Sequence, residues 1–399
     1  MKKGFLLFML LAVILTGCSG EKGRVIPSGN PGSYVEPEAV YPWMAGESPV
    51  PNRRMGIVRS GVNNDVHAVS SEGVYFMTRE EEGKFILYVD HGSDKVIKLC
   101  GRADCSHDDR DCNAFLPGCT ALSYYGGYLY AVMGDGSDQE AKLLRMDPDG
   151  SNRIELLDLL TFAKEHGGDF VRCELITEGI VLFVTNRWVK STLPDGSTEM
   201  KSENLDRFIY RLCEPAEGPV LQQSAGVMYN CGNTVLSYSQ ETKYGGEYGS
   251  YWSWDPDTEK QVYLTDHPGV PGYFDDTHGY YYKEGNICRL SYETRQEEVM
   301  VETGLEGNYI LKAFPECMVL AYRGFDTADP NLYIYNWNYE LVDTVEIKHT
   351  EGIGAAHLLI AETAERLILT DKAGGPPRYY INKSELGTAD VKVHAFVMA

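Results

Sequence analysis

The chain has 399 residues, with 36 lysine and arginine residues against 58 aspartate and glutamate residues, which gives a formal net charge of −22. This acidity argues against binding to nucleic acid or to an anionic lipid surface, because both depend on clustered positive charge. The same charge attracts cationic ligands and metal ions. The length is ample for a large hydrophobic core.

The first residues have the features of an export signal. Lys2 and Lys3 precede an apolar run over residues 4–15, which is too short for a comfortable permanent membrane span. Thr16, Gly17 and Cys18 follow at once. This order of a basic region, an apolar core and small residues predicts a signal peptide over residues 1–17.

The residues Leu15-Thr16-Gly17-Cys18 resemble the lipobox of bacterial lipoproteins. The resemblance implies cleavage before Cys18, diacylglycerol on its sulfur and a further acyl chain, such as palmitate, on the new amino group. Two or more chains give a stable anchor, so an extracytoplasmic protein attached to the cell membrane is expected. The alternatives are an ordinary signal peptide with a chance cysteine, or an uncleaved anchor.

Residues 18–54 are rich in proline and glycine and predict a lipid-anchored, solvated tether. Within it, Tyr41, Trp43 and Met44 form an apolar island. We expect this island to dock on the chain's own domain rather than on a partner.

Residues 55–399 show a recurring pattern of short runs rich in Tyr, Val, Ile and Phe, with turn signals between them. The clearest unit has strands at 126–133, 141–146 and 154–157, joined by Gly- and Asp-rich turns. The other units have runs at 73–77, 85–89 and 95–99; 180–184 and 208–212; 235–238, 251–254 and 261–264; 279–282, 287–290 and 298–301; 317–322, 332–335 and 341–345; and 366–369, 379–381 and 391–397.

Seven such units, spaced by about 40 to 55 residues, predict an all-β fold with a single seven-bladed β-propeller over 55–399. One sheet cannot bury both faces alone, and a closed ring of sheets solves this problem. Residues 55–58 are expected to pair beside the final unit. Six or eight blades, and a two-domain β-sandwich, are the alternatives.

The cysteine segment, residues 100–119, is predicted as an insertion between the first and second blades. It contains Cys100, Cys105, His107, Cys112 and Cys119. Structural disulfides are one interpretation, and a structural Zn²⁺ site is another, because Cys and His at short spacing suit tetrahedral zinc. Free or redox-active thiols are a third. The segment resembles a cysteine-rich element of propeller-like lipoproteins of anaerobic Firmicutes, which implies the same fold and location but no activity.

Aromatic residues cluster at 244–254, where glycines separate Tyr244, Tyr248, Tyr251, Trp252 and Trp254. They predict a loop that contacts a ligand or fills a blade interface. Carboxylates stand beside imidazoles at Asp266-His267 and at 275–278, but no catalytic motif is present.

We therefore expect a non-catalytic, membrane-anchored protein that binds a protein or carbohydrate through propeller loops. An extracytoplasmic hydrolase or lyase acting on glycans or peptides is the alternative, since propellers host both classes.

Overall fold

The fold is described from a computed structural model. It describes residues 40–49, 66–77, 85–107, 111–134, 141–177, 179–194, 196–213, 215–222, 227–231, 234–241, 248–254, 261–268, 272–274, 277–324, 329–347, 353–372 and 374–398. The chain divides into two units, Met1–Pro31 and Gly32–Ala399. The first lies outside the described residues, and the second contains every element below.

The strands form seven sheets, numbered here in chain order. Sheet 1 contains β1 (Val66–Val69), β2 (Gly73–Met77), β3 (Ile86–Asp90), β4 (Lys95–Lys98) and the last strand, β29 (Val397–Met398). Sheet 2 contains β5 (Cys119–Tyr125), β6 (Tyr128–Met133), β7 (Lys142–Met146) and β8 (Ile154–Asp158). Sheet 3 contains β9 (Phe170–Thr177), β10 (Ile180–Thr192), β11 (Thr198–Arg211) and β12 (Val220–Gln222).

The remaining sheets repeat the four-stranded order. Sheet 4 contains β13 (Val227–Cys231), β14 (Thr234–Glu241), β15 (Tyr248–Trp254) and β16 (Gln261–Pro268). Sheet 5 contains β17 (Tyr273–Phe274), β18 (His278–Lys283), β19 (Asn286–Ser291) and β20 (Glu297–Glu302). Sheet 6 contains β21 (Tyr309–Ala313), β22 (Met318–Tyr322), β23 (Asn331–Tyr335) and β24 (Leu341–Glu346). Sheet 7 contains β25 (Leu359–Glu362), β26 (Arg366–Leu369), β27 (Tyr379–Asn382) and β28 (His394–Ala395).

Neighbouring sheets pack face to face through apolar side chains, as a propeller requires. Buried clusters join sheet 1 to sheet 2, sheet 2 to sheet 3, sheet 5 to sheet 6 and sheet 6 to sheet 7. Strands β9 and β13 are in contact between sheets 3 and 4, and Arg295, in the turn between β19 and β20 of sheet 5, stacks on Tyr263 of sheet 4. A further cluster packs sheet 7 on sheet 1. The ring is therefore closed.

Closure also uses the chain terminus. Strand β29 pairs in parallel with β4, with Val397 opposite Lys95. The Val397 N–H donates to the carbonyl of Asp94 at 2.7 Å. Both ends of the domain thus contribute to sheet 1, while the expected pairing of residues 55–58 lies outside the described residues. The prediction of an all-β, seven-bladed propeller is confirmed.

Helical structure in the described residues is short. Helix α1 (Leu159–Glu165) follows β8, and Asp158 caps it by accepting from the N–H of Leu160 and of Thr161. Three single 3₁₀ turns cover Pro215–Glu217, Ala355–His357 and Lys383–Glu385.

Two strands of sheet 3 extend past their neighbours. Strands β10 and β11 have 13 and 14 residues. Their pairing begins with Ile180 opposite Arg211 and ends with Thr192 opposite Thr198. Strand β9 accompanies β10 only as far as Asn186, and β12 accompanies β11 only near Arg207. Beyond these positions the hairpin is a two-stranded ribbon, pairing 187–192 with 198–203, which we call the ribbon.

Residues 40–49, which we call the strap, lie against the propeller. The Tyr41 hydroxyl donates to the carbonyl of Ala364 at 2.9 Å, and the indole N–H of Trp43 donates to the carbonyl of Lys383 at 2.7 Å. Trp43 packs on the cluster between sheets 6 and 7. The apolar island of the expected tether thus docks on the chain's own domain.

Candidate metal centre

The cysteine segment joins β4 to β5 across the boundary between sheets 1 and 2. Its second half is packed, because Cys112, Ala114 and Leu116 are each no more than 2% exposed. The guanidinium of Arg153, from the turn before β8, donates to the carbonyl of Phe115 at 2.8 Å. The segment therefore contacts both sheets that it connects.

Four side chains of this segment converge, and we call them the Cys–His cluster. The ligand atoms of Cys100, Cys105, His107 and Cys112 all lie within 4.8 Å of one another. The Cys112 Sγ is 3.6 Å from His107 Nδ1. Cys112 is buried and the other three are half-buried. Three sulfurs and one imidazole nitrogen at such separations could hold a metal ion.

Backbone N–H groups point at the sulfurs of this cluster. The N–H of His107 donates to Cys105 Sγ, and the N–H of Ala114 donates to Cys112 Sγ, both at 3.4 Å. In each case the donor lies two residues after the cysteine. Donation to sulfur stabilises a thiolate, which is the form that binds metal.

The thiols differ in acidity. Burial raises the pKa of Cys112 to about 11. Burial also acts to raise the pKa of Cys100, but hydrogen bonds from the backbone of Arg102 and Asn113 and from Cys105 and Cys112 outweigh it, so that pKa lies below its ordinary value. Cys100 is thus the more readily ionised sulfur, whereas ionisation of Cys112 is favoured by a cation beside it.

The backbone at His107 is held in an uncommon conformation. Its φ is 58°, in the left-handed region, which costs about 1–2 kcal/mol for a residue with a side chain. The Lys98 ammonium donates to the His107 carbonyl at 2.7 Å and holds this conformation. Local strain of this kind is typical of positions that orient a ligand group.

Cys119 does not belong to the cluster, although the sequence placed it in the same set. It opens β5, and its thiol donates to the carbonyl of Ala121 at 3.2 Å. Burial raises its pKa to about 12. The strand start fixes the direction of this side chain and separates it from the four residues that converge.

Disulfides, the other interpretation of the segment, are absent among the cysteines that the structure describes. Cys100, Cys105, Cys112 and Cys119, the four cysteines of the segment, are all thiols. The sulfurs of Cys100, Cys105 and Cys112 are thus grouped around a common point and are not joined in pairs.

The predicted aromatic loop is largely a strand. Residues 248–254 form β15, paired on both sides with β14 and β16, so Tyr248, Tyr251, Trp252 and Trp254 are on a sheet and not on a loop. The four aromatic residues of this strand favour the pairing despite Gly249. Tyr244 lies outside the described residues.

Other sequence-predicted positions are scattered or undescribed. Asp266 and His267 are on β16, and His278 opens β18. Cys18 and residues 275–276 lie outside the described residues. Within the described part of the chain, no helix has the length and apolar character of a membrane span.

Sequence reasoning missed one prominent feature, the ribbon. Trp188 and Met200 are 45% and 58% exposed on it, although large apolar side chains are usually covered. The turn signal Pro194-Asp195-Gly196, preceded by the strand-forming residues Trp188 and Val189, was the signal that could have found it.

The closed circle of seven sheets, one of five strands and six of four, places the chain in the class of β-propeller proteins. No protein-family model and no curated protein matches the sequence.

Solved structures with a similar fold include the acylaminoacyl peptidase of Pyrococcus horikoshii, at 12% identity and a TM-score of 0.46, covering 86% of this chain and 52% of the peptidase. This chain thus spans about half the length of that peptidase. The propeller domain of the trilobed protease from Pyrococcus furiosus is similar at 9% identity and a TM-score of 0.42, covering 84% of this chain and 95% of that domain. Sqt1 of Saccharomyces cerevisiae is similar at 9% identity and a TM-score of 0.37, covering 86% and 98%.

Proposed function

We propose that this protein is a lipid-anchored propeller that binds a protein or carbohydrate ligand outside the cytoplasm without chemically changing it. The ribbon is the observation that carries the proposal. Sheet 3 is complete without it, since its four strands already pair around Leu182 and Ile209. The ribbon instead holds Trp188 and Met200 in solvent on an ordered strand pair. Exposed aromatic and methionine side chains are enriched where proteins bind partners.

The membrane anchor completes this proposal. Cys18 follows a short apolar segment and two small residues, which supports lipid attachment at its sulfur. Expression of the full chain in a Gram-positive host with a radiolabelled palmitate precursor should label the protein and place it in the membrane fraction. Cys18→Ala should lose the label and release the protein, and an unchanged membrane fraction would contradict the anchor.

We further propose that the Cys–His cluster holds a structural Zn²⁺. Three thiolates and one imidazole are a donor set that suits tetrahedral zinc, and four protein ligands leave no open position for a reacting water. The ion would attach the half-buried Cys100, Cys105 and His107 to the packed Cys112. It would thereby fix a surface segment at the boundary between sheets 1 and 2.

Arrays of glycans and peptides, probed with the full chain in mild detergent, test the binding role. The expected result is retention of at least one ligand class, with no cleaved product when the retained ligand is followed by mass spectrometry. Product formation that is lost on changing Asp275 or His278 would contradict the proposal and favour a hydrolase or lyase.

A further inference from the structure

The two faces of the ribbon differ in chemistry. Residues directly opposite in an antiparallel pair share a face, and alternate residues along a strand do the same. Trp188 pairs with Ser202, and Lys190 pairs with Met200, so these four side chains are on one face. Asn204, two residues beyond Ser202, continues this face, which we call the Trp188 face. All five are exposed.

The opposite face is charged and internally neutralised. Arg187 forms an ion pair with Glu203 at 2.6 Å, and Lys201 forms one with Glu199 at 2.6 Å. Val189 is also on this face, opposite Lys201, and is 38% exposed. The Trp188 face therefore concentrates the ribbon's aromatic ring together with hydroxyl and amide groups.

Trp188 is exposed but held in place. Its ring lies 4.9 Å from that of Phe170, with an angle of 33° between the planes, and Phe170 is only 6% exposed. Its backbone N–H donates to Asp169 Oδ2 at 2.7 Å, where β9 ends its pairing with β10. One side of the indole thus rests on the sheet. Because it is already ordered, little conformational entropy is lost when a ligand stacks on it.

The groups around this ring form hydrogen bonds, and two of them are cationic, the ammonium of Lys190 on the same face and the guanidinium of Arg172 beside Asn204. Ser202 offers a hydroxyl, and Asn204 offers an amide whose Oδ1 accepts from the Arg172 guanidinium at 3.4 Å. A pyranose ring has the complementary shape, with an apolar face of C–H groups and a rim of hydroxyls. An indole likewise combines an apolar face with one N–H donor at its edge.

We propose that the Trp188 face is a carbohydrate-binding platform for neutral oligosaccharides, with a sugar ring stacked on Trp188 and its hydroxyls bonded to Ser202 and Asn204. This inference rests on the proposed binding function and narrows its ligand to one class. The chain's net charge of −22 exceeds the two positive charges beside the ring, those of Lys190 and Arg172, and disfavours acidic glycans, so uncharged ones are the expected ligand. A protein partner is the competing occupant, for which Met200 would be a principal contact.

The test is isothermal titration of the full chain in mild detergent with cellohexaose, laminarihexaose, xylohexaose and mannohexaose, and with hexagalacturonate as the acidic arm. At least one neutral sugar should bind. Trp188→Ala should weaken that binding about tenfold or more, which is about 1.4 kcal/mol, and Trp188→Tyr should retain most of it. Val189→Ala is the matched control, because it truncates the neighbouring residue on the opposite face and should change affinity less than twofold.

Each outcome decides between this inference and the wider function. If Trp188→Ala leaves sugar binding unchanged, or if only hexagalacturonate binds, the Trp188 platform is wrong. The wider proposal of a binding protein is then retained. Retention of peptides but no sugar, lost in Met200→Ala, assigns the ribbon to a protein partner and overturns the platform. Sugar cleavage overturns the non-catalytic function, while a loss of affinity in Trp188→Ala would still support the platform. Circular dichroism of each variant excludes misfolding as the cause.

Discussion

Lys383 is fully buried between two carboxylates. Its ammonium donates to Glu316 Oε2 at 2.7 Å and to Glu362 Oε1, and both glutamates are at most 6% exposed. Glu316 comes from sheet 6 and Glu362 from sheet 7, so the ion group ties two blades together. A buried cation of this kind offsets carboxylates that would otherwise be unpaired in a low-dielectric interior.

Lys383→Met should therefore lower the free energy of unfolding by about 3–5 kcal/mol, measured by urea denaturation. Lys201→Met, which removes an exposed ion pair, should cost less than about 1 kcal/mol. Adding Glu316→Gln and Glu362→Gln to the Lys383 variant should restore part of the loss. Equal effects for the two lysines would contradict the structural role of Lys383.

His67 on β1 makes stability depend on pH. Its Nδ1 is buried and has no hydrogen-bond partner in the part of the chain that the structure describes. Burial, with a smaller contribution from the positive charge of Lys312, lowers its pKa to about 4. Below pH 6.5, the ordinary pKa of histidine, the unfolded chain binds a proton at His67 while the folded chain does not. The free energy of unfolding therefore falls as the pH drops from about 6.5 to about 4.

The expected loss over this interval is at most about 3 kcal/mol. Urea denaturation of the wild type and of His67→Gln at several pH values between 7.5 and 4.5 measures it. The difference between the two proteins should shrink or reverse as the pH falls. Parallel stability curves would show that His67 takes up its proton equally in the folded and unfolded chains.

At the scale of the elements, the cysteine segment has a packed half and an exposed half that the Cys–His cluster joins. Cys112→Ser removes the buried sulfur of the cluster and should reduce zinc from one ion per chain to none, measured by elemental analysis under reducing conditions. Cys119→Ala, whose thiol lies outside the cluster, should retain the zinc. Equal zinc content in the two variants would show that the cluster is not the metal site.

The strap is held by contacts with sheets 5 to 7. In addition to Tyr41 and Trp43, Pro49 accepts from the Tyr273 hydroxyl at 3.1 Å. Gly46 fits with a φ of 83°, where an added Cβ would lie 2.3 Å from the carbonyl carbon of Trp337. This close approach requires glycine.

Trp43→Ala should reduce the free energy of unfolding by about 2–3 kcal/mol, because it removes half-buried apolar area and one hydrogen bond. Val40→Ala, at a position 81% exposed, is the control and should change stability by less than about 0.5 kcal/mol. Thermal and urea unfolding measure both. If Trp43→Ala does not change the free energy of unfolding, the strap is not part of the folded core.

Most outer strands of each blade could be predicted from the sequence, whereas the first strands could not. β6, β7 and β8 coincide with apolar runs between turn signals, which is a strong pattern. β17 has only two residues, too few for a periodic pattern to stand out. The first strands are stabilised by contacts with the neighbouring sheet, whose residues are distant in the sequence. A local sequence pattern does not record these contacts.

For the whole molecule, the number of blades followed from the sequence, but the candidate sites followed only in part. The short spacing of Cys100, Cys105, His107 and Cys112 indicated a metal site, because Cys and His at such spacings are typical zinc ligands. The exclusion of Cys119 depends on where β5 begins, and the exposure of Trp188 depends on how far β9 accompanies β10. Both are properties of the assembled sheets.

Native mass spectrometry of the full chain with a retained neutral hexasaccharide tests the central claim most directly. We expect a main species of one chain, one zinc ion and one intact sugar, with the sugar's mass unchanged after prolonged incubation. A chain without metal that converts the sugar to smaller products would contradict it.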